Sequence, residues 1–439
     1  MLYLITYCLL KSYTFILQIS SPVSFCIPSF VFQFIRYYID QNKKREATLT
    51  ILAITVLFFL GYLIWERIQL NRRVQKIPLR ICVTGTRGKS SVAALIYSVL
   101  RESGRKVVAK TTGSEARLLL PDGSIVDVPR RSRPSIIEQK NVIKTAVNAG
   151  ADCIVVEVMS IHPENHIVES QQILKPHIVV VTNVRRDHSD AMGRTEEEVA
   201  GVLSLGITQK AVVFIPEEEN RPIFQEAAER MGAEMMVVRD GLSRSFTKQA
   251  SMLDLRLFSE NLDLVVALAE HLNIDDKTVM AGLEKTAGDV GSLRIWRHRC
   301  DESGKAVFFV NGFAANDPDS TRRVLEEVKR VLPDTWGRSV GVLSLRSDRG
   351  DRTMQWLDVL TGRFSGLFDT LYVTGAHANV FRNKVKGAKV LKNKSPERMT
   401  KTVMADADDG TVIFGFGNMM GEGRRLVTHW SEIGDAYGI

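Results

Sequence analysis

From residue 79 onward, short apolar runs alternate with longer segments in which apolar residues recur at a helical spacing. The apolar runs predict strands and the periodic segments predict helices. The predicted strands of the first half are Leu79–Val83, Lys106–Ala109, Cys153–Val158 and Ile178–Thr182, and the helices are Lys89–Ser103, Pro134–Asn148 and Thr195–Leu205. This alternation is typical of a mostly parallel sheet with helices on both faces.

A second alternating series begins near Leu293. Its predicted strands are Ala306–Val310, Ser339–Leu345, Thr370–Val373 and Thr411–Phe414. The glycine-containing stretch Ala287–Ser292 separates the two series, since glycine favours turns and linkers. We therefore expect two α/β domains, over residues 79–290 and 291–439.

The N-terminal region has a different pattern. From Ala47 to Trp65 nineteen residues carry no charge, about the length that a helix needs to cross a bilayer. We predict a transmembrane helix over residues 47–65, followed by a basic connector over 66–78. Residues 1–46 form a hydrophobic extension with two open interpretations: a further membrane span, or a segment that is not translated.

Charge and cysteine content narrow the function classes. The formal net charge is +8, which suits phosphates, polyanions or an anionic membrane surface. Zinc-ligand spacing, a basic helix with heptads and an aromatic RNA-binding signature are all missing from the sequence, so no nucleic-acid partner is expected. The five cysteines are scattered and form no metal or redox motif, which favours a reducing compartment.

A glycine turn follows the first predicted strand and leads directly into a helix. Backbone N–H groups and a helix N-terminus converge there, which predicts a site for nucleotide phosphates. The predicted nucleotide-binding residues of this turn are Gly85, Thr86, Arg87, Gly88, Lys89, Ser90 and Ser91. Lys89 would reach the β- and γ-phosphates, and the Ser90 hydroxyl would bind magnesium. The usual P-loop has a glycine where this chain has Val83, so the loop is a shorter variant.

This short loop resembles that of the Mur ligase superfamily of ATP-dependent amide ligases. Glu157, at the end of a predicted strand, looks like the superfamily's magnesium-binding glutamate. The segment 183–188 looks like its N-x-x-x-D-H motif, in which His188 would hold a second magnesium. In the C-terminal half, the resemblance implies nucleotide contacts from Arg294, Asn311, Asn316 and Arg349.

The chain is more closely similar to the ligase subunits of poly-γ-glutamate synthase, the PgsB and CapB type. The motifs that carry this resemblance lie at residues 85–90, 110–113, 138–140, 187–193, 311–317, 346–353 and 415–418. The resemblance implies a central Mur-ligase-type ATP-binding domain and a Rossmann-like C-terminal domain, preceded by a transmembrane helix. It also implies ATP-dependent polymerisation of glutamate through an acyl phosphate.

Several expectations follow from the resemblance. ATP and Mg²⁺ are the expected cofactors, with Lys89, Glu157 and His188 as catalytic residues and Ser90, Glu157 and His188 as metal ligands. The expected partners are glutamate, the growing poly-γ-glutamate chain, small membrane subunits and further copies of this chain. The catalytic domains would face the cytoplasm at the cell membrane, because they consume ATP. Arg117, Arg131 and Arg133 are candidate contacts for the polyanion.

Two alternative functions stay open at this stage. One is another Mur-type ligation, on folate or a cell-wall precursor, and the other is a membrane scaffold that binds ATP without catalysis. The sequence also departs from the superfamily in two ways. Ala315 stands where many members have histidine, and no lysine lies between Lys175 and Lys210 to act as the carbamylated lysine of peptidoglycan ligases. Glu196, Glu197 or Glu198 would replace that lysine, or the site tolerates its absence.

Overall fold

The structure is a computed structural model that describes most of the chain. The described residues are 45–112, 116–128, 130, 134–188, 190–249, 259–286, 293–299, 304–313, 315, 317–332, 337–347, 350–392 and 395–437. Residues 1–44 of the predicted extension and the predicted boundary Ala287–Ser292 lie outside this part.

The first helix, α1, spans Arg45–Gln75. Its segment Leu52–Gln75 is long and apolar enough to cross a membrane. The helix continues ten residues beyond Trp65, so the predicted connector is helical as far as Gln75. The reason is packing: Leu70 and Val74 are 5% and 2% exposed within the first domain, and their burial stabilises the added turns.

Eight strands form the sheet of the first domain. They are β1 (Leu79–Thr84), β2 (Val107–Thr111), β3 (Arg117–Leu119), β4 (Ile125–Asp127), β5 (Cys153–Glu157), β6 (Ile178–Val181), β7 (Val212–Pro216) and β8 (Glu234–Val238). Their order in the sheet is β4-β3-β2-β5-β1-β6-β7-β8. The six strands from β2 to β8 in this order are parallel. β3 is antiparallel to β2, and β4 is antiparallel to β3.

Helices cover both faces of this sheet. They are α2 (Lys89–Glu102), α3 (Glu138–Asn148), α4 (Pro163–Ile167), α5 (Glu196–Ser204), α6 (Pro222–Met231), α7 (Arg244–Gln249), α8 (Ser259–His271) and α9 (Asp276–Glu284). A π-helix, Val168–Leu174, continues α4, and a 3₁₀ turn spans Glu217–Glu219. Helices α2, α8 and α9 share one core with the sheet, whereas α1, α3 and the π-helix share a core on the other face.

The second domain has a seven-stranded sheet. Its strands are β9 (Ile295–Arg299), β10 (Ala306–Asn311), β11 (Ser339–Leu345), β12 (Thr370–Gly375), β13 (Ala388–Val390), β14 (Thr411–Gly417) and β15 (Asp435–Ala436). The order is β13-β12-β11-β14-β10-β9-β15, with β9 antiparallel to β10 and β15. Its helices are α10 (Pro318–Val331), α11 (Gly350–Thr361), α12 (Ala378–Lys384), α13 (Pro396–Met404) and α14 (Arg424–Ile433), with a π-helix over Met419–Gly423. The predicted two-sheet α/β fold is thereby confirmed.

Candidate active site

The glycine turn is held in shape by the segment that follows β6. Asn183 receives two hydrogen bonds on its side-chain Oδ1, from the Thr86 hydroxyl at 2.7 Å and the Arg87 amide at 3.0 Å. The Thr182 hydroxyl donates to the Arg87 carbonyl at 2.6 Å. These bonds join the turn to a neighbouring strand, so its amide groups are already oriented for an anion.

Gly85 is required by this arrangement, because its φ is +124° and an added Cβ would lie 2.2 Å from the Thr182 hydroxyl. We expect Gly85→Ala to lower the free energy of unfolding by about 3 kcal/mol and to weaken nucleotide binding. Gly104→Ala is the matched control, since Gly104 has a φ of +85° and open space around its Cβ position. Its strain alone costs about 1–2 kcal/mol. Urea unfolding compares the stability of the two variants, and nucleotide titration compares their affinity for nucleotide. Equal losses of stability and of affinity in the two variants would contradict this role of Gly85.

Lys89 begins α2, and its ammonium group lies inside the turn. It donates to the Gly85 carbonyl at 2.7 Å and to the Thr86 carbonyl at 3.4 Å. Burial lowers the pKa of Lys89, and the carboxylates of Glu157 and Asp187 act in the opposite direction. A cation in such a low-dielectric position interacts strongly with a phosphate.

Glu157 and Ser90 meet at the carboxyl ends of the central strands. The Ser90 hydroxyl donates to Glu157 Oε2 at 2.7 Å, and the Thr112 amide donates to the same oxygen at 2.5 Å. A carboxylate and a hydroxyl are oxygen donors of the kind that magnesium prefers, so this pair fits the ion. Among the described residues, the structure has no group of three or more His, Cys, Asp and Glu side chains that would hold a metal by themselves.

His188 follows Asp187 in the segment after β6. Its backbone φ is +46°, and its Nε2 atom is 3.9 Å from Asp187 Oδ2. The structure therefore joins Ser90 directly to Glu157 and places the His188 ring beside a different carboxylate. The role of His188 as a metal ligand stays a prediction.

Asp187 connects the phosphate turn of the first domain to the second domain. Its carboxylate pairs with Arg87 of the turn at 3.3 Å and with Arg352 of α11 at 2.9 Å. Arg87 also lies 3.4 Å from Asp317, which caps the N-terminus of α10. Asp187 and Arg352 belong to two separate sequence motifs, and their contact forms only when the two domains pack together.

The Arg352–Asp187 pair is buried, with both side chains 7% exposed. Arg352→Met removes the buried partner of Asp187 but leaves the partly exposed Arg87 at 3.3 Å. The remaining pair compensates part of the buried charge, and we expect Arg352→Met to destabilise the protein by about 2 kcal/mol. The control is Arg363→Met, because Arg363 pairs with Asp319 at 3.0 Å while both side chains are more than half exposed. An exposed pair contributes less than about 1 kcal/mol. Comparable shifts in urea unfolding for the two variants would contradict a special role for this contact.

A buried polar network lies behind Glu157, and no sequence motif predicts it. Glu169 is fully buried on the π-helix and accepts hydrogen bonds from the Met159 and Ser160 amides and from the Gln139 side chain. These bonds fix the segment that follows β5. Burial raises the pKa of Glu169. Nearby, burial and then the charge of Lys89 lower the pKa of His166 to about 4.

The predicted C-terminal residues are partly visible. Asn311 is the last residue of β10 and is 1% exposed. Its backbone amide donates to the Arg294 carbonyl at 2.9 Å. Asn316 and Arg349 lie outside the described residues, as do Arg131 and Arg133. Ala315, the position at which the resemblance led us to expect a departure from histidine, is buried.

The three glutamates proposed to replace a carbamylated lysine have other partners in the structure. Glu196 and Glu197 each pair with Arg221 at 2.7 Å. Glu198 accepts a hydrogen bond from the Thr195 amide and forms a capping box at the start of α5. The three carboxylates therefore form local structural contacts. No residue is assigned to replace the carbamylated lysine of peptidoglycan ligases.

Comparison with known proteins places the fold. Residues 83–282 match the Mur ligase middle domain family. A folylpolyglutamate synthase/dihydrofolate synthase from Yersinia pestis superposes with a TM-score of 0.63 at 15% identity, covering 83% of this chain and 92% of that one. MurF from Acinetobacter baumannii gives a TM-score of 0.58 at 16% identity, covering 82% and 79%. The fold and the phosphate turn thus define a ligase of the Mur type, a class that uses ATP.

More specific matches narrow the class. Residues 297–433 match the family described as poly-gamma-glutamate synthase CapB C-terminal domain. The capsule biosynthesis protein CapB of Bacillus anthracis is 36% identical over 74% of this chain and 72% of its own length. The PGA synthase CapB of Bacillus subtilis is 32% identical, covering 71% of this chain and 78% of that protein. The chain belongs to the CapB family.

Proposed function

We propose that this protein is an ATP-dependent ligase that polymerises glutamate into poly-γ-glutamate. The observation that carries the proposal is the meeting of Lys89 with the Ser90–Glu157 pair at the carboxyl edge of the first sheet. In open α/β sheets this edge is where ligands bind. The family membership supplies the substrate, because the Bacillus subtilis relative is named as a PGA synthase.

In the proposed reaction, a carboxylate oxygen attacks the γ-phosphorus of ATP and ADP leaves. The amine nitrogen of the next glutamate then attacks the acyl carbon and loses a proton, and inorganic phosphate leaves as the amide forms. Lys89 and the amides of the turn offset the charge on the transferred phosphoryl group. Most of the rate comes from positioning and charge neutralisation of this kind.

Magnesium is the proposed metal, held by Ser90 and Glu157, whose oxygen atoms fit it. When bound, it would neutralise phosphate charge. We propose His188 as the ligand of a second ion, on the family resemblance. The nucleotide would also contact the C-terminal domain through Arg294, Asn311, Asn316 and Arg349.

We further propose that α1 anchors the protein in the cell membrane with both domains in the cytoplasm. Its side chains from Leu52 to Trp65 are mostly exposed and apolar, which supports this placement. Small membrane partner subunits and a homo-oligomer remain predictions from the family resemblance. Arg117, Arg131 and Arg133 remain candidate contacts for the polyanionic chain.

The test is ADP release from membranes that contain the protein, with ATP, Mg²⁺ and either L- or D-glutamate. We expect release that depends on glutamate and a γ-linked polymer as the product. Turnover that is independent of glutamate would contradict the proposal. Absence of turnover with every amino acid tested would favour the ATP-binding scaffold instead.

A further inference from the structure

Helix α1 is built into the first domain and is not a flexible tether. Leu70 and Val74 pack in the same core as residues of α3 and the π-helix. Burial of large aliphatic side chains stabilises the contact between the helix and the domain. The direction in which α1 leaves the domain is therefore fixed by core packing.

Two hydrogen bonds show that α1 runs parallel to the π-helix. The Arg67 side chain donates to the Gln172 carbonyl at 3.0 Å, and the Asn71 side chain accepts from Lys175 at 2.9 Å. As the residue number rises along α1, it also rises along the partner segment. Helices that connect parallel strands run opposite to those strands, so each begins at the edge where the strands end. Because α1 runs in the same direction as these helices, its N-terminal, apolar portion projects from the edge where the parallel strands end.

We call this edge the catalytic edge and define it by Thr84, Thr111 and Glu157, the last residues of β1, β2 and β5. The residues Glu138, Gln139 and Lys140 join α1 to it. Glu138 pairs with Lys110 of β2 at 3.0 Å, and the Gln139 amide group donates to the Glu157 carbonyl at 3.3 Å.

The third residue of this triplet completes the connection. Lys140 pairs with Glu66 of α1 at 2.8 Å. Three consecutive residues thus contact β2, the candidate metal ligand and the anchor helix. Glu66 is therefore fixed next to the catalytic edge, far from the opposite edge of the sheet.

The length of the apolar segment sets the membrane boundary. Nineteen uncharged residues end at Trp65, and at a rise of about 1.5 Å per residue they span about 28 Å, close to the hydrocarbon thickness of a bilayer. Glu66, the next residue, already contacts Lys140. The hydrocarbon region thus ends where the domain begins, with no spacer between them.

We propose that the chain enters the membrane beside the catalytic edge, so that this edge is the part of the first sheet nearest the lipid headgroups. The inference rests on the membrane anchoring included in the proposed function. The second domain contacts the same edge through Asp187 after β6, whereas α1 leaves it next to α3, on the side of β2 and β5. The amide bond is then formed at the membrane surface.

The experiment compares two fluorescently labelled positions in vesicles. His162→Cys places the label in the exposed loop after β5, at the catalytic edge, and Ala149→Cys places it at the exposed end of α3, at the opposite edge. Both variants also carry Cys8→Ser, Cys26→Ser and Cys300→Ser, while Cys82 and Cys153 are buried. The quencher is a phosphatidylcholine with a nitroxide on its headgroup.

We expect the label at position 162 to be quenched about two-fold more than the label at 149, because the length of α3 separates the two edges by about 16 Å. Equal quenching, or stronger quenching at 149, would overturn the inference. Flotation of the vesicles tests the anchoring separately, and protein that does not float with them overturns both. Glutamate-dependent ADP release on the same vesicles reports the proposed function, so an active ligase with equal quenching refutes the geometry alone.

Discussion

Lys89→Ala is expected to lower ATP turnover by about 10²- to 10³-fold, the loss typical of removing one preorganised group that stabilises transition-state charge. The Lys89 ammonium group lies within the phosphate turn, 2.7 Å from the Gly85 carbonyl. A triphosphate would take over this contact, and in such a buried place no water can replace the lost charge efficiently. The measurement is the rate of ADP release at saturating Mg²⁺ and glutamate.

Lys144→Ala is the matched control for this variant, because Lys144 is exposed on α3. We expect it to retain full turnover. Circular dichroism and vesicle flotation should be unchanged for both variants, which separates chemistry from folding and attachment. Unchanged turnover in Lys89→Ala would refute the assignment of the phosphate turn.

Glu157→Gln is expected to raise the Mg²⁺ concentration needed for half-maximal turnover by about 10- to 100-fold or more, since even residues that only orient metal ligands have effects of this size. The amide keeps the size of the side chain and can still accept the hydrogen bond from Ser90, but it loses the negative charge. Neutral amide oxygens bind Mg²⁺ more weakly than carboxylates do. The measurement is ADP release across a Mg²⁺ titration.

Glu164→Gln provides the comparison, because Glu164 follows the same strand and is exposed at the start of α4. Its Mg²⁺ dependence should equal that of the unaltered protein. An unchanged Mg²⁺ midpoint in Glu157→Gln would mean that the metal is held elsewhere. Urea unfolding of both variants measures whether the change at Glu157 lowers stability through its contacts with Ser90 and Thr112. Equal stability of the two variants shows that the change in Mg²⁺ midpoint does not come from unfolding.

Much of the fold was predictable because its central strands are continuous apolar runs. The predicted Ser339–Leu345 strand agrees with β11 at both ends, and Cys153–Val158 exceeds β5 by one residue. Short edge strands were not predicted, since three residues of β3 or two of β15 carry no periodicity. The helical connector was also missed, because its stability comes from the burial of Leu70 and Val74 in a core formed by distant residues.

The candidate site was predictable where a local motif carries the chemistry. The phosphate turn and Glu157 were both predicted at carboxyl ends of strands, which the alternation of strands and helices implies, whereas the direct pairing of β1 with β5 is known only from the structure. The contact between Arg352 and Asp187 joins residues of two domains, and the burial of Glu169 depends on the π-helix. No pattern along the chain reports such contacts, so only the folded structure reveals them.

The most direct measurement is an experimental structure of the protein with Mg²⁺ and a non-hydrolysable ATP analogue. We expect the triphosphate to lie in the turn from Gly85 to Ser91, with Lys89 against its terminal phosphates and a magnesium ion bound by Ser90 and Glu157. A triphosphate bound elsewhere, with these side chains directed away from it, would contradict the assignment of this turn as the nucleotide site.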